Sequence, residues 1–80
     1  MSHTPHDLHD EFPGQVDLLH RLKLENPHFS KLAEQYHDIN RALHRAETRI
    51  EPVSEQHEAD LRRRRMNLKD DIARLLGELA

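Results

Sequence analysis

Imidazoles and guanidinium groups are the side chains here with the spacing to do chemistry. The chain carries eight histidines and no cysteine. His3, His6 and His9 recur at every third position near the N-terminus. Imidazole suits transition metals, so this run is the first candidate for metal binding. A structural zinc site normally needs about four ligands at suitable spacing, and no thiolate is present to complete one. These three histidines therefore remain weak candidates, and no cofactor is expected. If their segment is helical, His37 and His44 lie two turns apart, about 10.5 Å. That is too far to share one ion within a single chain, so they read as solvated flanks. His28 falls in the first turn of an expected helix and has a local structural role. His57 stands near a turn, within reach of a helix end and neighbouring acids.

Arg62, Arg63, Arg64 and Arg65 form the second cluster. A run of arginines suggests phosphate binding. On a helix, however, successive residues rotate by about 100°, so four of them wrap the circumference and make no stripe. No aromatic residues interleave with them for base stacking. Glu58, Asp60, Asp70 and Asp71 also weaken the local field. A nucleic-acid accessory role through these arginines and Lys69 is kept as an alternative, and so is a metal-responsive role through the histidine run. Catalysis finds no constellation. Ser2, Ser30 and Ser54 fall in an arm, an early helix turn and a cap. No carboxylate has an evident reason for a raised pKa. Gly14 and Gly77, the only glycines, build no phosphate loop. The chain is not read as an enzyme.

The elements that position these groups are helical. Residues 1–12 lack apolar periodicity and are expected to be a mobile, polar, His-rich arm. Val16, Leu19 and Leu22, with Leu18 beside them, give a short amphipathic helix over about 14–25. Asn26-Pro27 then starts a new helix, with Asn as cap and Pro at the first helical position. From there Phe29, Leu32, Tyr36, Ile39, Leu43, Ala46 and Ile50 alternate spacings of three and four, a heptad seam. It predicts a helix over about 27–50, stopped by Glu51-Pro52. Ser54 caps a last helix over about 54–79, and Glu55 and Glu58 favour its positive N-terminus. Its seam is Leu61, Arg65, Leu68, Ile72, Leu75 and Leu79.

The two seams mirror each other about Pro52. Folding back there pairs Leu43 with Leu61, Tyr36 with Leu68, Leu32 with Ile72 and Phe29 with Leu75. Ile39 meets Arg65, whose stem can lie along it while the guanidinium reaches water. The fold class is therefore all-α: an antiparallel, coiled-coil-like helical hairpin with a short N-terminal helix, residues 13–80 forming one domain. The expected core and interface residues are Phe29, Leu32, Tyr36, Ile39, Leu43, Leu61, Leu68, Ile72 and Leu75. Off the main seam, Ala59, Met66, Ala73 and Leu76 suggest a second interface, covered either by the first helix or by another chain.

Composition agrees with long, solvent-washed helices. Charged residues make up 34% of the chain, and 12 basic against 15 acidic residues leave a net charge of −3. That balance offers no argument for nucleic acid or membrane. No apolar run approaches the roughly 20 residues needed to span a bilayer. The N-terminus has no apolar leader. With no cysteine, a reducing cytoplasmic location is the expectation.

The motifs Arg21-Leu22-Lys23, Asn26-Pro27-His28-Phe29 and Leu68-Lys69-Asp70-Asp71-Ile72 have a further meaning. They resemble those of the small YdcH-like bacterial proteins, over roughly residues 14–79. The resemblance implies a short cytosolic coiled-coil protein with no established activity, and it supplies no catalytic residues. The expected function is thus an uncharacterised helical interaction module. It would self-associate, with a dimer favoured because a chain this short buries little core, and would bind an unidentified protein partner.

Overall fold

The computed structural model describes residues 6–48 and 53–79, and all regular structure among them is helical. Helix α1 spans Leu8–Glu11, a 3-10 turn follows at Pro13–Gln15, and α2 spans Val16–Glu25. The long helices are α3, Pro27–Glu47, and α4, Glu55–Leu79. They pack along each other as the expected hairpin, with α2 laid on α3. Ile50 and the Glu51-Pro52 turn lie outside the described residues, as does His3.

Local chemistry sets the helix starts. The Asn26 Oδ1 accepts a hydrogen bond from the Phe29 backbone N–H at 3.0 Å, and Pro27 occupies the first turn, where a missing N–H loses nothing. Ser54 Oγ accepts from the His57 N–H at 3.1 Å in the same way. Glu55 and Glu58 lie in the first turn of α4, and His44 and Arg45 in the last turn of α3. Each sign complements its helix dipole. Arg62 pairs with Glu58 as the spacing predicts, at 3.3 Å. Arg74 binds Asp71, three residues before it, at 2.6 Å.

The heptad seam is real but divides between two faces. Phe29, Ala33, Tyr36, Asn40 and Leu43 are buried on α3, and Phe29, Ala33 and Tyr36 join Ile72 and Leu76 of α4 and Leu19 and Leu22 of α2 in one cluster. Leu32, Ile39, Leu68 and Leu75 are only half-buried. Helical rotation explains the split: residues 32 and 39 share a stripe about 60–80° from the centre of the buried face. The N-terminal elements cover one side of the hairpin and leave the other open.

One sequence expectation is corrected here. The arm was expected to be mobile through residue 12, yet Leu8 is 7% exposed within the core cluster and Phe12 packs against it. An isolated Leu in a polar stretch has no periodicity to announce it, but it can still fill a gap between helices. Leu76, from the second stripe, is 1% exposed and shares the core cluster with Leu19 and Leu22 of α2, which is the covering by the first helix that the sequence allowed. It lies four residues beyond Ile72, one turn along the same face.

Candidate functional site

A strap formed by residues 6–12 crosses from α3 to α4. The Tyr36 hydroxyl donates to the His6 carbonyl at 2.6 Å. His6 adopts the left-handed region with φ 64°, an uncommon conformation for a residue with a side chain. Asp7 Oδ1 accepts from Asn40 Nδ2 at 3.3 Å, and Asn40 Oδ1 accepts from Arg65 Nη1 at 3.0 Å. Asn40 is 1% exposed, so these bonds satisfy an amide whose orphaned groups would otherwise be costly in the core. Glu11 closes the strap, accepting from Lys69 at 3.2 Å and from His6 at 2.9 Å. Partial burial pushes the Glu11 carboxyl up, but its bonds to His6 and Lys69 outweigh this and hold it below its ordinary range.

Between strap, α2 and α3 lies a cleft of about 380 Å³. Leu8, Leu19, Ala33 and Tyr36 line it, and His9, His20 and His37 stand around it. The fold thus gathers histidines from three elements, a grouping that linear spacing cannot reveal. They do not form a metal centre: among the described residues, no group of three or more His, Asp or Glu side chains could hold an ion. His6 and His9, the described members of the histidine run, instead face Glu11 and Asp10 at 2.9 and 3.5 Å.

The arginine cluster is dispersed as helical rotation predicts. Arg63 and Arg64 share Asp60, at 3.9 and 3.2 Å. Arg65 turns inward to Asn40 rather than lying along Ile39 with its head in water. Sequence reasoning missed Asn40, although its signal was present: it sits four residues after Tyr36 and three before Leu43, on the buried face.

On the open side of the hairpin, Ile39 and Leu68 lie in a shallow groove. Asp38 from α3 and Arg64 from α4 flank it, with Gln35 and Asn67 beside them. Of the proposed core residues, Phe29, Tyr36, Leu43, Leu61 and Ile72 are buried. The half-buried remainder forms the stripe along this groove. Of the proposed second interface, Ala59 and Ala73 are exposed and Met66 is 56% exposed. With Leu76 in the core, these residues do not make one surface. No helix among the described residues is long and apolar enough to cross a membrane.

The family model described as a protein of unknown function, DUF465, matches residues 29–76. The YdcH-like motifs agree with that match. No curated protein and no solved structure matches the chain significantly.

Proposed function

The chain belongs to DUF465, and from that premise we propose that it acts as a helical interaction module, binding protein surfaces that include its own copies. The carrying observation is the shallow groove floored by Ile39 and Leu68, with Leu32 and Leu75 also only half-buried beside the core. A two-helix surface of this kind gains hydrophobic stabilisation when a further helix or hairpin covers it. The reading is of a non-enzymatic protein of the cytoplasm, as the resemblance to YdcH-like proteins implies. Arg62, Arg63 and Arg64 all sit beside acids on α4. That pairing disfavours a phosphate-binding role.

Solution mass across a concentration series tests the proposal. A discrete dimer or tetramer is expected at high concentration. A monomer throughout would remove self-association and confine the open stripe to binding a different protein.

A further inference from the structure

Building on the interaction-module reading, we propose that the open hairpin face is covered by a second copy of this chain, related by a two-fold axis running parallel to α3 and α4. The groove shows why the charges fit. Asp38 from α3 and Arg64 from α4 flank the same apolar floor of Ile39 and Leu68, and so lie at the same level of the hairpin. Rotation about an axis parallel to the helices leaves every level unchanged. It places α3 over the α4 of the second copy and Asp38 opposite the Arg64 of that copy. Symmetry then repeats the pair on the other side.

Two turns along, the pattern recurs with the signs exchanged. Lys31 lies seven residues before Asp38 on α3, and Asp71 lies seven after Arg64 on α4. Seven residues return to nearly the same face of a helix. The antiparallel register therefore brings Lys31 and Asp71 to the other end of the apolar stripe, where the rotation sets them against each other as well. Among the described residues Asp38 makes no ion pair. Arg64 pairs with Asp60 at 3.2 Å, with its own side chain 63% exposed. Asp38 is therefore available at the rim, and the exposed Arg64 can be shared between Asp60 and a facing carboxylate.

The other face-to-face ordering, with the axis across the helices, lays α3 on α3. Its charges match at one axial offset only, whereas the parallel axis needs no offset. Four helices then form a bundle in which each helix has antiparallel neighbours, and the apolar stripes of the two copies meet at its centre.

Charge exchange tests this arrangement. Asp38→Lys and Arg64→Glu each set like charges together at both symmetry-related positions. Both sites are exposed and outside the core, and circular dichroism on each variant confirms its helicity. Sedimentation should show each single variant associating about tenfold more weakly than the parent. An equimolar mixture should recover the parent association, because the introduced lysine then faces the introduced glutamate and the native pair is kept on the other side. A parent dimer that neither variant weakens, or a mixture that recovers nothing, would overturn the inference while leaving an assembling module in place. A parent that stays monomeric at every concentration would overturn the inference and self-association together.

Discussion

Tyr36 is the only tyrosine in the chain, so its phenol can be titrated alone. Burial raises its pKa from 10.0 to about 12, and the negative charge of Glu11 adds to the effect. The fold thus favours the neutral phenol. The corresponding stabilisation is complete below pH 10.0, the ordinary value, and is lost as pH rises towards about 12. Absorbance at 295 nm (the phenolate band) should show a midpoint near 12 in the folded protein and near 10 in denaturant. A folded midpoint near 10 would mean that the strap does not cover the phenol. Neighbouring Asn40 shows the limit of pattern reading at this scale. Its position marks a core site, but its residue type argues for solvent. The carboxylate of Asp7 and the guanidinium of Arg65 resolve the conflict, and both come from segments distant in sequence.

Among the elements, the hairpin was the most legible. Its seam repeats through several turns, its caps are Asn26 and Ser54, and each of these signals is local. The strap was illegible because its stabilising contacts are not local. Glu11 and Lys69 are 58 residues apart, and His6 and Tyr36 are 30 apart. Leu8 is the one leucine in that stretch and fills a place among Leu19, Tyr36 and Leu76. Replacing it with alanine should cost about 2–3 kcal/mol, by lost burial and the cavity left behind. Urea unfolding followed by far-UV circular dichroism measures this. An unchanged midpoint would restore the mobile arm read from sequence. The division of the seam into a covered and an open half was hidden for a related reason. Heptad spacing states which residues are apolar, but not which side of the helix a third element will take.

At the scale of the whole molecule, the N-terminal elements supply in cis part of the cover that a bare hairpin lacks. Leu8, Leu19 and Leu22 join Phe29, Ala33, Tyr36, Ile72 and Leu76 in one cluster. Towards the turn, Leu43, Ala46 and Leu61 are buried without α2 above them. The hairpin thus has a thick end and a thin one. If a second copy covers the open stripe, association and folding are linked. The melting temperature should then rise with protein concentration. A melting temperature independent of concentration, in a chain that retains its helices, would place all of the stabilisation within the single chain.

The cluster that contains both Leu8 and Leu76 also sets an order of events during synthesis. Leu8, Leu19, Leu22 and Phe29 are made well before Ile72 and Leu76. Until then the α2–α3 pair has nothing to close against on that side, and its leucines face water. The same holds for Glu11, whose partner Lys69 is also a late arrival. The cluster can therefore reach its final form only when the last turns of α4 have been made.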